Sequence, residues 1–167
     1  MTRLGVGLAL LLLAGAANAL SAVAWSGKVT HVTDGDTLWV QPASGGKPVK
    51  VRIAGIDAPE ICQSGGRASR AVLTGRLAGR QIDVRTERKD DYGRIIAALS
   101  LDGDDIGGWM VSGGQAWSYR FGRDGGPYVP QQLRARAAKR GLFADPSAQE
   151  PRLFRKHHGP CAEGFIS

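Results

Sequence analysis

Cysteine is scarce in this sequence, with only Cys62 and Cys161 among 167 residues. Two thiols are too few to hold a zinc ion without other ligands, so a cysteine-only zinc site is excluded. Internal repeats and low-complexity blocks are also absent from the sequence. A chain of 167 residues is of the usual length for one domain. We therefore expect one hydrophobic core and one site that carries the function.

The sequence has no apolar run long enough to cross a membrane as a helix. Residues 4–16 are apolar, but a spanning helix needs roughly 20 such residues. Arg3 precedes this run, and Ala17-Asn18-Ala19 follows it as a small-residue cleavage pattern. The arrangement is typical of a secretory signal peptide, with a membrane anchor as the alternative. We predict a signal peptide over residues 1–19, cleavage after Ala19, and a secreted or periplasmic protein without membrane contact.

Acidic residues are in the minority, since 15 Asp and Glu stand against 22 Lys and Arg and the formal net charge is +7. A basic surface favours polyanions through counterion release, although charge alone does not separate nucleic acids from an acidic envelope surface. Export also bears on the two cysteines, because an oxidising compartment allows a single pair of thiols to form a disulfide. We predict a disulfide between Cys62 and Cys161.

Hydrophobic periodicity predicts short strands and a few helices. Val49, Val51 and Ile53 alternate with charged residues, which is typical of a strand with one buried face and directs Arg52 away from that face. The predicted strands span residues 27–33, 37–40, 49–56, 82–85 and 94–101. The predicted helices span residues 67–78, residues 105–112, and a segment from Pro130 that Gly141 ends.

Two of the predicted helices have an apolar side. In the helix over residues 67–78 it is formed by Ala68, Val72, Leu73 and Leu77. In the last helix Leu133 and Ala137 form an apolar edge.

Five short strands interrupted by a helix and followed by others favour a β-barrel plus helices, an α+β fold. We expect a five-stranded Greek-key barrel of the OB type with about three helices. The barrel domain is expected over residues 20–145, with an irregular tail over residues 146–167.

Three polar segments stand at the ends of predicted strands. The segment Asp34-Gly35-Asp36-Thr37 puts two carboxylates two residues apart, although alone it is compatible with a hairpin turn. The segment 52–60 delivers an arginine, an aspartate and a glutamate to one loop, although alone it is compatible with a surface ion pair. The segment Asp91-Tyr92-Gly93-Arg94 puts another arginine after a turn.

Together these segments supply the groups that metal-assisted attack on a phosphodiester requires. Asp36 and Asp57 offer the hard oxygen ligands that Ca²⁺ and Mg²⁺ prefer. Glu60 can orient or deprotonate a water molecule. Arg52 and Arg94 can hold phosphate oxygens and stabilise the extra negative charge of five-coordinate phosphorus.

The order of Asp-Gly-Asp-Thr, Arg-x4-Asp-Ala-Pro-Glu and Tyr-Gly-Arg resembles the staphylococcal-nuclease-like (thermonuclease) family, over residues 26–143. The resemblance implies an OB barrel that holds Ca²⁺ with the side chains of Asp36 and Asp57 and the backbone carbonyl of Ala58. It also implies that Asp34 and Thr37 support these ligands from just outside.

The same resemblance implies an activity. Glu60 would act as general base or position the water, Arg52 and Arg94 would contact the phosphate, and DNA or RNA would be cut to leave 3′-phosphate ends. Tyr92 matches a residue that contacts a terminal nucleotide phosphate, and Arg120 stands where a second tyrosine is expected. Asp91 replaces a lysine that helps to hold that phosphate, which an acid cannot do.

Two other functions are compatible with such a barrel. One is a non-catalytic OB-fold module that binds nucleic acid, against which the presence of all five key side chains argues. The other is a metal-dependent phosphodiesterase acting on small nucleotides, against which the basic charge argues. We expect a monomeric calcium-dependent nuclease whose partners are its DNA and RNA substrates.

Overall fold

The computed structural model describes residues 24–119, 124–159 and 161. The predicted signal peptide and the substrate-contact candidate Arg120 lie outside the described residues. None of the helices in the described part of the chain is long and apolar enough to cross a membrane.

A closed barrel of five strands forms the body of the protein. Its strands are β1 (Ala24–Val32), β2 (Thr37–Pro42), β3 (Val49–Ile53), β5 (Gln81–Lys89) and β6 (Ile95–Leu101). Neighbours pair in the order β3-β2-β1-β5-β6, all antiparallel, and a parallel pairing of β3 with β6 closes the barrel. The expected five-stranded OB-type barrel is confirmed.

Three short strands extend this body. The strand β4 (Ile56–Asp57) pairs antiparallel with β8 (Trp117–Ser118), outside the barrel sheet. The strand β7 (Asp104–Asp105) pairs with the end of β6. The β4–β8 pair matters for the site because it fixes the backbone of Asp57.

The described residues contain four α-helices: α1 (Gly66–Leu77), α2 (Ile106–Ser112), α3 (Val129–Ala137) and α4 (Pro151–His158), with a 3₁₀ turn at Gly141–Ala144. The helices α1 and α2 complete the core, because Leu73 of α1 and Ile106 and Met110 of α2 are fully buried with the barrel aliphatics. The side chain of Asp105 caps α2 by accepting a hydrogen bond from the N–H of Gly107.

The apolar side predicted for α1 is partly wrong. Ala68 is exposed, and Ser69 is fully buried instead, where its hydroxyl donates a 2.8 Å hydrogen bond to the carbonyl of Gln115. A buried serine with a satisfied hydroxyl replaces the expected alanine at this contact.

The apolar edge predicted for α3 is wrong as well. Leu133 is 59% exposed and Ala137 is exposed, whereas Ala135 is fully buried against Trp117 and Phe143. The reason is that α3 packs on this small second cluster, where an alanine permits close approach to two large rings.

The tail contains a helix, which corrects the expectation of an irregular segment. The helix α4 has only eight residues and buries only Pro151 among them, and so short a segment offers too few positions for hydrophobic periodicity to predict a helix. It is held instead by the disulfide between Cys62 and Cys161, which confirms the predicted pairing. A 2.7 Å hydrogen bond from the Gln63 side chain to the carbonyl of Gln149 fixes the chain just before the helix.

Candidate active site

The turn between β1 and β2 places the first two acids. The carboxylate of Asp34 accepts a 2.9 Å hydrogen bond from the N–H of Asp36, and the N–H of Thr33 donates to the carbonyl of Thr37. Gly35 lies so close to Ser69 and Ala58 that any β-carbon there would overlap them. The Asp-Gly pair is therefore a turn packed against α1 and the site, and its carboxylates do not both face solvent.

Asp36 is the acid at the centre of the site. Its side chain is buried, and one carboxylate oxygen accepts a 2.9 Å hydrogen bond from the Thr37 hydroxyl. The other oxygen accepts a 3.0 Å hydrogen bond from the N–H of Ala58. These contacts join the start of β2 to the residue after β4, so the two acidic segments of the sequence meet here.

Arg52 lies opposite Thr37 in the β2–β3 ladder and points away from the core, as the alternation predicts. Its Nη2 lies 3.3 Å from Oδ2 of Asp36 and 2.9 Å from Oδ1 of Asp57. Its Nη1 donates to the carbonyl of Ile56. Burial opposes the charge on Arg52, but the carboxylates of Asp36 and Asp57 outweigh that effect and raise its pKa further above neutrality.

Asp34 lies just outside this ion-paired group. Burial, and then the negative charge of Asp36, raise the pKa of Asp34 well above its usual range, while Arg52 opposes the shift. Burial is the larger of these causes, so the charged form of Asp34 is poorly solvated where it lies.

The proposed metal ligands fit a hard divalent cation. Asp36 and Asp57 both lie within 3.3 Å of one guanidinium nitrogen, so a single cation can reach both carboxylates. Ala58 lies against Asp36 through its N–H, which puts its backbone at the same place. In the described segments no three His, Cys, Asp or Glu side chains are grouped to hold a metal, so backbone and water oxygens would complete the ion's coordination, as they commonly do for Ca²⁺.

Glu60 lies beside this group but is bound by a residue that the sequence did not predict. Its Oε1 accepts a 2.8 Å hydrogen bond from Nη1 of Arg155, which belongs to α4. The same guanidinium binds Asp57 through both carboxylate oxygens. One signal for this contact was present in the sequence, because Cys62 is two residues from Glu60 and its pairing with Cys161 brings the tail there.

Arg94 occupies a separate position at the start of β6. Its Nε and Nη2 both lie 2.8 Å from Oδ2 of Asp90, whose other oxygen accepts from the N–H groups of Tyr92 and Arg94. Slight burial opposes ionisation of Asp90, but the hydrogen bonds from Arg94 lower its pKa. Tyr92 is 86% exposed and lies under the Arg94 guanidinium.

One cleft of about 1120 Å³ joins these groups. Most of the predicted site residues line it, namely Asp34, Asp36, Arg52, Ala58, Glu60, Tyr92 and Arg94. Asp57 lies behind its wall, bound to Arg52 and Arg155, and Thr37 is buried under Asp36. The lining residues that sequence reasoning missed include Lys50, Arg88, Tyr119 and Arg155. The charge of the cleft is mixed, because five basic side chains (Lys50, Arg52, Arg88, Arg94 and Arg155) and six acidic ones (Asp34, Asp36, Glu60, Glu87, Asp90 and Asp124) line it.

Comparison with known proteins agrees with this arrangement. The profile of the family described as "Staphylococcal nuclease homologue" matches residues 50–145, which is more than half of the chain. The chain belongs to the staphylococcal nuclease family. Family membership supports a nuclease function and a hydrolytic activity.

Relatives from several bacteria resemble it along most of their length. An uncharacterized endonuclease of Escherichia coli is 37% identical over 132 residues, covering 77% of this chain and 84% of the relative. A protein of Shigella flexneri named micrococcal nuclease is 35% identical over 153 residues, covering 82% of this chain and 86% of the relative. An uncharacterized endonuclease of Haemophilus influenzae is 34% identical over 129 residues.

The family profile does not cover the whole site. It begins after Asp36 and ends before α4. The carboxylates of the first turn and the guanidinium of Arg155 therefore come from parts of the chain outside the matched segment.

Proposed function

We propose that the protein is an exported, monomeric, calcium-dependent nuclease that hydrolyses phosphodiester bonds in DNA and RNA and leaves 3′-phosphate ends. The observation that carries the proposal is the convergence of Asp36 and Asp57 on one guanidinium nitrogen in a cleft that Glu60 also lines. Two carboxylates that can share one cation, beside a third that can take a proton, form a site for hydrolysis at a phosphate.

The calcium ion would screen the charge of the phosphate and polarise the P–O bond. Asp36 and Asp57 would hold the ion with the Ala58 carbonyl, and Asp34 and Thr37 would keep Asp36 in place. Glu60 orients a water molecule towards phosphorus and accepts its proton. Arg52 and Arg94 bind the nonbridging oxygens, whose charge grows as the oxygen of water adds and the 5′ oxygen leaves.

Arg94 must change partner to perform this role. In the structure its guanidinium is bound to Asp90, and both residues line the same cleft. A phosphate offers two or more charged oxygens in place of one carboxylate, so the exchange conserves charge-assisted hydrogen bonds. Tyr92 lines the cleft beside Arg94 and would contact the nucleotide there. Arg120 stays a predicted substrate contact from the sequence.

Digestion of plasmid DNA and of a structured RNA, with Ca²⁺ and then with excess chelator, tests the proposal. We expect cleavage of both polymers with Ca²⁺, loss of cleavage with chelator, and fragments that a polymerase extends only after a phosphatase removes the 3′-phosphate. Glu60→Gln purified in parallel controls for contaminating nuclease. Binding of the polymers without cleavage would favour the non-catalytic module, and cleavage of dinucleotides alone would favour a small-nucleotide phosphodiesterase.

Export is tested separately. We expect the mature protein recovered from a cell envelope fraction or medium to begin at Leu20, measured by intact mass. A protein that retains residues 1–19 would contradict the signal-peptide assignment without touching the chemistry.

A further inference from the structure

The helix α4 brings a cation to the acids of the site from beyond the segment that the family profile matches. Nη1 of Arg155 lies 2.8 Å from Oε1 of Glu60 and 3.2 Å from Oδ1 of Asp57, and Nη2 lies 3.0 Å from Oδ2 of Asp57. This is a bidentate contact to one carboxylate with a further bond to a second, the geometry in which guanidinium binds carboxylates most strongly.

The structure tethers this cation at both ends of its helix. The chain is fixed before α4 by the hydrogen bond from Gln63 to the Gln149 carbonyl, and after α4 by the Cys62–Cys161 disulfide. Both anchors lie within three residues of Glu60 in sequence. A tethered group has a high effective concentration at its target, so Arg155 occupies the carboxylates far more often than a free cation of similar affinity would.

Asp57 cannot serve this guanidinium and a metal fully at the same time. Its Oδ1 accepts from Arg52 and Arg155, and its Oδ2 accepts from Arg155. A divalent cation at Asp57 would need at least one of these oxygens, and it would repel the guanidinium at short range. The guanidinium of Arg155 can move away from Asp57, because 35% of the Arg155 side chain is exposed and solvent can hydrate the displaced charge.

We propose that Arg155 is a further residue of the active site, a tethered cation that shares Asp57 with the metal and thereby sets the metal concentration at which the site fills. The inference rests on the proposed calcium dependence. The Arg155 guanidinium and the metal compete for Asp57, so each weakens the binding of the other by one coupling free energy. Removing the guanidinium should therefore strengthen metal binding by that amount.

Binding of Ca²⁺ measured by isothermal titration calorimetry, without nucleic acid and at about 0.15 M salt, tests this without using activity. The proteins are the parent, Arg155→Ala, and Lys156→Ala, which removes the same charge from an exposed neighbour on α4. We expect Arg155→Ala to lower the Kd for Ca²⁺ at least about fivefold. Lys156→Ala should leave the Kd within about twofold of the parent, because exposed charges at this ionic strength are largely screened.

A second variant guards against poor folding of the first. Arg155→Gln keeps a hydrogen-bond donor for Asp57 but removes the charge, and we expect it to lower the Kd in the same direction by a smaller factor. Thermal melting in chelator checks that each variant is folded.

The possible results separate this inference from the proposed function. Equal or weaker Ca²⁺ binding by folded Arg155 variants, with a parent that binds Ca²⁺, overturns the inference and leaves the calcium-dependent nuclease intact. Failure of every protein to bind Ca²⁺ overturns both. Tighter binding by the Arg155 variants but not by Lys156→Ala supports the inference, including where the parent itself binds too weakly to measure.

Discussion

At the residue scale, the arginines of the cleft have different partners, so substituting them should have different effects. Arg52 is bound between the buried carboxylates of Asp36 and Asp57, so its removal would take away the ion pair of Asp36, leave Asp57 with Arg155, and disturb the site itself. Arg94 is bound to Asp90 in the neighbouring loop and lies over the ring of Tyr92, and neither of these residues is a proposed metal ligand. Arg94 is therefore the better residue for separating catalysis from structure.

We expect Arg94→Ala to lower the turnover number by roughly 10² or more with calcium saturating, on the order of 3 kcal/mol of transition-state stabilisation. Arg94→Lys should recover little of this, because a point charge cannot make the bidentate phosphate contact. The measurement is the initial rate of DNA cleavage, with Arg85→Ala, an exposed arginine of β5, as the charge-matched control. Turnover near that of the parent in Arg94→Ala would remove Arg94 from the catalytic set.

Substitutions of Asp36 and of Glu60 should separate calcium binding from the chemical step. Asp36→Ala removes a proposed ligand and should raise the calcium concentration at half-maximal rate before it changes anything else. Glu60→Gln keeps the shape of the side chain but cannot accept a proton from water, so it should bind calcium and substrate while losing rate. Calcium titrations of cleavage and of binding for each variant give the comparison, and an unchanged rate in Glu60→Gln would contradict the role given to Glu60.

At the scale of elements, α1 and α4 are held by different forces. The helix α1 buries Leu73 and Leu77 in the barrel core, so its attachment is hydrophobic. The helix α4 is held by ion pairs at Arg155, by the Gln63 hydrogen bond and by a disulfide. The core should therefore depend on α1, whereas the position of α4 should depend on covalent and polar contacts.

Two leucines on helices should differ sharply in their contribution to stability. Leu73 is fully buried and Leu133 is 59% exposed. Leu73→Ala should lower the free energy of unfolding by about 2 to 5 kcal/mol, because it leaves a cavity in the core. Leu133→Ala should change it by less than about 0.5 kcal/mol. Denaturant unfolding of both variants measures the difference, and equal losses would mean that the packing of α1 or α3 is misassigned.

The disulfide should stabilise the chain mainly through the length of the segment it closes. Cys62 and Cys161 are 99 residues apart, for which the chain-entropy treatment gives about 4 to 5 kcal/mol at most. The Cys62→Ser, Cys161→Ser double variant should lose a few kcal/mol of unfolding free energy in denaturant titrations. Two free thiols found in the unfolded, unreduced parent protein would contradict the pairing.

At the scale of the whole molecule, the net charge is positive while the candidate active site contains several acidic side chains. The formal charge is +7, while Asp34, Asp36 and Glu60 line the cleft and Asp57 lies behind its wall. Lys50, Arg88 and Arg94 line the same cleft, but Glu87, Asp90 and Asp124 line it as well. Polyanion binding should therefore draw on the positive charge of the whole molecule, and the acidic site should depend on its cation to accept a phosphate.

Affinity for nucleic acid should consequently depend steeply on salt. Contacts of lysine and arginine with phosphates release counterions, so we expect affinity for single-stranded DNA to fall at least tenfold between about 50 and 200 mM salt. Fluorescence anisotropy of the Glu60→Gln variant measures binding without cleavage, and sucrose of matched osmolality is the control. A flat response would mean that the basic balance plays no part in substrate binding.

The sequence by itself determined the barrel and identified most of the residues that form the candidate site. Strand alternation is local, so the period of Val49, Val51 and Ile53 was enough to place β3 and to direct Arg52 away from the core. The order of the acidic segments identified Asp36, Asp57 and Glu60, which the fold brings together because β2 and β3 are neighbours.

Only the tertiary structure decided which charges meet. The partner of Glu60 is an arginine on α4, a short helix that hydrophobic periodicity did not predict. Arg155 and Asp57 are 98 residues apart, and no local pattern ties one to the other. A guanidinium reaches any carboxylate that the fold brings near it, so the choice of partner depends on the packed positions of α4 and β4 and on the disulfide that joins the tail to the loop after Glu60.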